Sequence, residues 1–166
     1  MKAFVLRFAL LWVALVLFSP SHAATCTLSA TSINFGSYDP TSSAALTANG
    51  NISFTCTNTG NGDTVTVMLS TGSSGSYTDR TLVMGAQSLK YNIYADSGYT
   101  TILGNGTGGS YYLYACYGRG SGSPCSTSGG YPSGTTFTGA MYGQLPGGQD
   151  VSAGAYSDTL TVTLTF

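Results

Sequence analysis

Few groups that ionise occur in this sequence. Charged residues make up 7% of its 166 positions, glutamate does not occur, and the single histidine is His22. His22 falls within a predicted signal peptide, so the mature chain retains no histidine to serve as a general base or as a metal ligand. This excludes Ser-His-Asp and Cys-His machinery, and it predicts that the protein is not an enzyme and needs no cofactor.

The aspartates do not replace the missing histidine. Each lies beside turn residues, where an Asp side chain accepts hydrogen bonds from nearby backbone amides. Nothing in the sequence indicates two carboxylates held together in an apolar pocket, as glycoside hydrolysis requires. A DxDxDG-like calcium loop and a CxxC zinc spacing are also missing from the sequence, so no metal site is predicted.

Basic residues are equally scarce. Only Arg80, Lys90 and Arg119 follow the predicted signal peptide, against six aspartates. With so few basic residues, the sequence predicts no basic patch that would attract nucleic acid or an anionic membrane. Its surface is predicted to be mainly Ser, Thr, Gly, Asn and Tyr. Such a surface suits packing against other chains, although many secreted β-proteins share it without polymerising.

The N-terminus has the organisation of a secretory signal peptide. Lys2 and Arg7 precede an apolar run from Phe8 to Phe18, and Ser21-His22-Ala23 supplies a small-residue cleavage pattern. The apolar run is shorter than the ~20 residues that cross a bilayer. We therefore expect residues 1-23 to be removed and the mature protein to be secreted without membrane insertion.

The remainder of the chain, residues 24-166, is predicted to be one all-β domain. Glycine interrupts nearly every window, and apolar residues recur at a spacing of two, which is the period of a strand. The alternating segments are Ile52–Cys56, Val65–Leu69, Leu89–Tyr94, Phe137–Tyr142 and Thr159–Phe166. Short strands at such spacings are typical of a two-sheet β-sandwich in which each strand buries one face.

Between Gly104 and Gly134 the alternation gives way to Gly, Ser and Tyr, which predicts a long loop. Its four clustered tyrosines are Tyr111, Tyr112, Tyr114 and Tyr117. Tyrosine offers a large contact area at a low cost in side-chain entropy, so the loop is a candidate contact surface, for example for carbohydrate. The alternative is that these rings cover one end of the core.

Four cysteines in an exported chain predict two disulfides, for which three connectivities are possible. Cys116 and Cys125 are nearby in Gly- and Ser-rich sequence, which favours their mutual closure. Cys26 would then pair with Cys56 and join the start of the mature chain to a predicted strand.

Several segments follow one known pattern. They are Cys26–Ser29 with Ile33–Pro40, Arg80–Leu82, Leu89–Asp96, Tyr142–Pro146 and Ala153–Phe166. Together they resemble the spore coat U domain family, which includes subunits of Csu-type pili. The resemblance implies an immunoglobulin-like sandwich that lacks its last strand. It also implies assembly by a periplasmic chaperone and an outer-membrane usher, with neighbouring pilin or coat subunits as partners.

The last segment of the chain fits an incomplete sandwich. After Thr159, the apolar Leu160, Val162, Leu164 and Phe166 alternate with threonines. We expect this strand to be the edge at which a chaperone or donor strand binds, although a complete sandwich could end in the same way. The resemblance then implies a secreted structural subunit at the cell surface, in a pilus or in a spore coat.

The start of the predicted mature chain departs from the pilin pattern. Polymerising pilins carry an alternating apolar extension before their first core strand, whereas only Ala24 and Thr25 precede Cys26 here. This predicts a subunit that accepts a donor strand and gives none, as at an adhesive pilus tip or in a coat. The alternative function is a self-complete secreted binding module that uses the tyrosine loop.

Overall fold

The computed structural model describes residues 23–118 and 130–166, and the predicted signal peptide lies almost wholly outside them. The strands in this part of the chain are β1 Thr25–Ala30, β2 Leu46–Thr57, β3 Thr64–Leu69, β4 Thr81–Met84, β5 Gln87–Lys90, β6 Asn92–Tyr94, β7 Leu113–Cys116, β8 Thr136–Leu145 and β9 Val162–Thr165. A 3-10 turn at Gly72–Ser74 is the only helical element in the same ranges, and no helix there is long and apolar enough to cross a membrane.

These strands form two main antiparallel sheets. One sheet has the order β1-β2-β8-β6 and the other has the order β7-β3-β9, while β4 and β5 form a separate hairpin. Phe54 in the middle of β2 lies opposite Leu28 of β1 and Phe137 of β8. The predicted all-β, immunoglobulin-like sandwich is confirmed.

The core lies between the inner faces of the two sheets. In β2 the buried Ile52, Phe54 and Cys56 alternate with more exposed polar residues, and in β3 the buried Val65, Val67 and Leu69 alternate with more exposed residues. A strand turns successive side chains to opposite faces, so this alternation forces one face of each sheet inward. The predicted strands at Ile52–Cys56 and Val65–Leu69 are therefore confirmed.

The predicted strand Leu89–Tyr94 is divided in the structure. Its first half belongs to β5, which pairs with β4, and its second half is β6, which pairs with β8. Tyr91 lies between them, and its backbone N–H donates to the carbonyl of Arg80 at 3.0 Å instead of to a neighbouring strand. The chain thus passes from the hairpin to the main sheet at Tyr91.

A disulfide joins the first two strands. Cys26 of β1 is opposite Cys56 of β2 in the strand register, and their sulfurs are bonded across a sequence separation of 30 residues. This predicted pairing is confirmed. Cys116 is also disulfide-bonded. Cys125, its predicted partner, lies outside the described residues.

The Cys26–Cys56 bond is expected to stabilise the domain mainly by restricting the unfolded chain. In the chain-entropy model a loop of this length contributes about 3–4 kcal/mol. We predict that the Cys26→Ala/Cys56→Ala double variant loses about this much unfolding free energy in a urea titration. An unfolding midpoint equal to that of the wild type would contradict the prediction.

Candidate groove and edge-strand site

An open groove runs between the two sheets on the side of β9. It consists of two adjoining cavities of about 550 Å³ and about 420 Å³. Both cavities are lined by Ile33, Phe35, Leu82 and Asp158. One wall of the groove is the segment 31–38 and the other is the segment 151–162.

The first wall begins where β1 ends. Thr31 still donates its backbone N–H to the carbonyl of Asn51 at 2.9 Å. From Ser32 to Tyr38 the described chain makes no further backbone-to-backbone hydrogen bond. Gly36 interrupts this stretch, because it has a positive φ of 75° and donates its N–H to Asn34 Oδ1 at 2.9 Å. The backbone groups of residues 32–35 have no hydrogen-bond partner among the described residues, and such groups are a template for pairing with another strand.

Two glycines allow the first wall to approach the main sheet. A Cβ atom at Gly143 of β8 would lie 2.9 Å from both Ile33 Cγ2 and Phe35 Cζ, and one at Gly50 of β2 would lie 2.9 Å from Ile33 Cγ1. These distances are too short for any larger residue without displacement of the wall. Glycine here makes room for two apolar side chains that line the groove.

The second wall is fixed by the carboxylate of Asp158. Its Oδ1 accepts hydrogen bonds from Ser73 N at 2.8 Å and Ser73 Oγ at 2.6 Å, and its Oδ2 accepts one from the Tyr91 hydroxyl at 2.7 Å. Burial acts to raise the pKa of Asp158, but the hydrogen bonds from Ser73, Tyr91 and Thr159 outweigh it and lower this pKa below its usual range. Burial, together with the bond to Asp158, raises the pKa of the Tyr91 hydroxyl.

The second wall continues into β9, an edge strand. β9 pairs with β3 on one side and has no described strand on the other. Leu160 and Val162 line the groove, and Leu164 packs against the core. Phe166 is 59% exposed and does not join them. The alternation predicted for this segment is thus present, with Phe166 outside the groove.

A buried arginine braces the loops behind the groove. Arg80 is fully buried, and its guanidinium donates to the carbonyls of Ser70 at 2.8 Å and Leu103 at 2.7 Å and to Asn92 Oδ1 at 2.8 Å. The ring of Tyr77 lies 5.3 Å from the guanidinium carbon. Burial lowers the pKa of Arg80, but its charge is retained because these oxygens replace water as partners.

The match to a known family decides where this domain belongs. A model of the Spore Coat Protein U domain matches residues 12–163 of the chain. The chain belongs to the Spore Coat Protein U domain family. The resemblance found in the sequence is therefore confirmed. No curated protein matches the chain significantly.

A solved structure has a similar fold. It is the crystal structure of the CsuC-CsuE chaperone-tip adhesion subunit pre-assembly complex from archaic chaperone-usher Csu pili of Acinetobacter baumannii. The match has a TM-score of 0.56 and 19% sequence identity, and it covers 87% of this chain and 40% of that chain. This spore coat U chain therefore spans less than half the length of the chain that it matches.

The four predicted contact tyrosines of this spore coat U domain do not share one environment. Tyr111, Tyr112 and Tyr114 are 61%, 44% and 48% exposed, at or beside the edge strand β7. Tyr117 is only 1% exposed, so its assignment to the contact surface was wrong. Its hydroxyl accepts from Cys56 N at 3.3 Å and donates to the carbonyl of Thr135 at 3.2 Å, which makes it a core residue.

Other polar residues of the domain carry structural roles. Asp39, Asp63 and Asp96 each accept hydrogen bonds from nearby backbone N–H groups, as predicted for turn aspartates. Asp79 instead forms an exposed ion pair with Lys90 at 3.3 Å. No group of three or more His, Cys, Asp or Glu side chains that could hold a metal ion occurs within residues 23–118 and 130–166.

Sequence reasoning missed the first wall of the groove and the role of Asp158. The sequence indicates Ile33 and Phe35 only as part of a family pattern. Their alternation, with Asn34 between them, is a short strand signal that could have indicated a wall. The bond from Asp158 to Ser73 spans 85 residues, and no local pattern indicates such a partner.

Asp158 is expected to make the fold acid-sensitive. A carboxyl whose pKa is lowered on folding stabilises the protein above its unfolded-state pKa, and this contribution is lost as the pH falls below about 4. We predict that Asp158→Asn lowers the unfolding free energy at pH 7 by about 1–3 kcal/mol, because it weakens charge-assisted hydrogen bonds. The variant should also lose less stability than the wild type between neutral pH and pH 3.

Asp150→Asn is the matched control, since Asp150 is exposed. It should leave both the stability at pH 7 and the acid profile unchanged. Urea titrations at several pH values measure both quantities. Parallel acid profiles for Asp158→Asn and the wild type would refute the assignment.

Proposed function

We propose that this protein is a secreted structural subunit of a surface assembly, and not an enzyme, and that its groove accepts a strand from another polypeptide. The observation that carries the proposal is the groove itself, which lies between two backbone edges that have no described strand partner. The domain is residues 24-166 after removal of a signal peptide at 1-23. The destination is a pilus of the Csu type or the coat of a spore.

The dimensions and lining of the groove support strand insertion. Apolar side chains from both walls and from the core face it, including Ile33, Phe35, Leu160 and Val162. An inserted strand places every second side chain on one face, so alternating apolar residues would fill the two cavities in turn. Its backbone would pair with β9, with the segment 31–38, or with both.

The electrostatics of the groove favour an apolar strand over a charged one. Asp158 is the only charged residue among those that line the two cavities. Both of its oxygens already accept hydrogen bonds from Ser73, Thr159 and Tyr91. A charged side chain placed in this groove would lose its water without gaining a partner, which is costly.

The partners in this proposal are a periplasmic chaperone, an outer-membrane usher and neighbouring subunits. An open groove with a free β-edge promotes aggregation until another strand fills it, so a chaperone would be needed first. The similar solved structure is a chaperone complex of a tip adhesion subunit, which supports this order of events and a position at a tip. The chain is then an acceptor of a neighbour's strand.

The first test replaces an apolar groove residue by a charged one. We expect Val162→Asp to reduce co-purification with the cognate periplasmic chaperone by about tenfold or more, because the carboxylate would be desolvated under an inserted strand. Thr163→Asp is the matched control, because Thr163 is the next residue of β9 and is exposed. Circular dichroism checks that both variants keep their β-structure.

Thr163→Asp should bind the chaperone as the wild type does. Undiminished binding by a folded Val162→Asp variant would refute the role of the groove. Expression of the wild type without the chaperone is the second measurement. Equal yields of stable, soluble monomer with and without it would show that the domain is complete on its own.

A second candidate function is a binding module that uses the edge of β7, favoured by the exposure of Tyr111, Tyr112 and Tyr114. Tyr112 and Tyr114 are two residues apart, so β-geometry turns both to one face. Rings presented side by side in this way can stack on sugar rings or on other flat apolar surfaces.

The Tyr112→Ala/Tyr114→Ala variant tests this candidate. We expect it to lose glycan-array signals by about thirtyfold, since each of the two rings contributes roughly 1 kcal/mol to stacking. Thr163→Ala, on the opposite edge strand of the same sheet, should keep them. An array pattern unchanged by removal of the two rings would eliminate the β7 edge as a glycan site.

A further inference from the structure

The outer face of the four-stranded sheet has an unusual composition. None of the residues in β1, β2, β8 and β6 is charged. On the outward face of β2 lie Thr47, Asn49, Asn51, Ser53, Thr55 and Thr57. Opposite them, β8 places Thr136, Thr138, Ala140, Tyr142 and Gln144 on the same face. The result is a neutral surface of hydroxyl and amide groups with few rings.

The rings and amides of this face are neighbours at one end of the sheet. Asn49 of β2, Tyr142 of β8 and Tyr94 of β6 form one row across the strands, because Tyr142 is the register partner of both others. Gln144 and Thr47 are partners in the next row. Side chains in such rows have their Cβ atoms about 4.5–5.5 Å apart, so these groups are within reach of a single ligand.

Most of the hydrogen-bonding side chains in these rows have no partner within the described residues. Asn92 of β6, the register partner of Gln144, differs because its amide accepts from Arg80 and donates to the carbonyl of Tyr77. At the other end of the face, hydroxyls pair with each other, as Ser29 does with Ser53 at 2.8 Å and Thr55 with Thr136 at 2.7 Å. In contrast, the side chains of Asn49, Gln144 and Tyr142 have no hydrogen-bond partner within the described parts of the chain. Donors and acceptors of both kinds are therefore available there.

A neighbouring loop adds a third ring at the edge of this cluster. Tyr99 has a positive φ of 56°, which is uncommon for a residue other than glycine. The carboxylate of Asp96 holds its turn by accepting from the backbone N–H groups of Gly98 at 3.0 Å and Thr101 at 2.7 Å. This places the Tyr99 ring edge-on against Tyr94, with 5.6 Å between the ring centroids.

We propose that a neutral polysaccharide binds across the outer face at Asn49, Tyr142, Gln144 and Tyr94. Neutral sugars offer hydroxyl groups that match side-chain amides and phenols, and C–H faces that pack on tyrosine rings. The absence of charge in the four strands disfavours an acidic or basic ligand, since no counter-charge would replace the water lost on binding. This site is on the opposite face of the sheet from the groove, so it does not rest on strand insertion.

The test measures the binding of the full mature chain to two neutral glucans, which are insoluble cellulose and cross-linked dextran. The chain is used in the soluble form that the chaperone experiments provide. Pectate serves as the acidic comparison. We expect sedimentation with at least one neutral glucan and weaker binding to pectate. Asn49→Ala/Gln144→Ala should weaken that binding about tenfold, because two hydrogen-bonding amides are lost.

Thr27→Ala is the matched control on the same face, because Thr27 is exposed on β1 and distant from the cluster along the sheet. It should bind as the wild type does. Tyr142→Ala should also weaken binding, with circular dichroism to check its fold. Three results would overturn the proposal. They are failure to bind either glucan, a preference for pectate, and undiminished binding by Asn49→Ala/Gln144→Ala. The proposal would also be overturned if only the Tyr112→Ala/Tyr114→Ala variant at the β7 edge lost glucan binding.

Discussion

The burial of one arginine sets the arrangement of the segments behind the groove. Arg80 has no carboxylate at ion-pair distance within the described residues, so its donors must be met by neutral oxygens. An unpaired buried cation would cost several kcal/mol, and the carbonyls of Ser70 and Leu103 and the amide of Asn92 therefore have to converge on it. Three separate parts of the chain are fixed by this one requirement.

Ser70 links Arg80 to the second wall of the groove by hydrogen bonds. While its carbonyl accepts from Arg80, its N–H donates to Thr161 O at 2.9 Å and its hydroxyl accepts from Thr161 N at 2.9 Å. Thr161 immediately precedes β9. Three residues beyond Ser70, Ser73 holds Asp158 on the same wall. The second wall of the groove is thus held by hydrogen bonds on its polar side, while its apolar side chains line the groove.

What the sequence could predict depends on the range of each interaction. Alternation is local, so β2, β3, β8 and β9 were predicted, as was the alternation of Leu160, Val162 and Leu164. In contrast, β1 was not predicted, and β7 lies within the stretch between Gly104 and Gly134 that was predicted to be a loop. The inward position of Tyr117 could also have been predicted from the two-residue period of a strand. Tyr117 is an even number of residues from the inward-facing Leu113 and Ala115, whereas Tyr112 and Tyr114 are an odd number of residues from them. Contacts such as Ser73 with Asp158 or Phe35 over Gly143 depend on the fold, and no local pattern specifies them.

The scarcity of charge has a consistent physical explanation in this architecture. A groove that remains open until another strand enters it tolerates few ions at its walls, since each would be desolvated on insertion. The four-stranded sheet, which carries the first wall over its inner face, is without charge on either face. Long-range steering by charge is then weak, and recognition has to come from backbone pairing and short-range contact. Under the proposed strand insertion, selectivity for a partner strand would therefore depend on the match between its apolar side chains and the two cavities that flank Ile33 and Phe35.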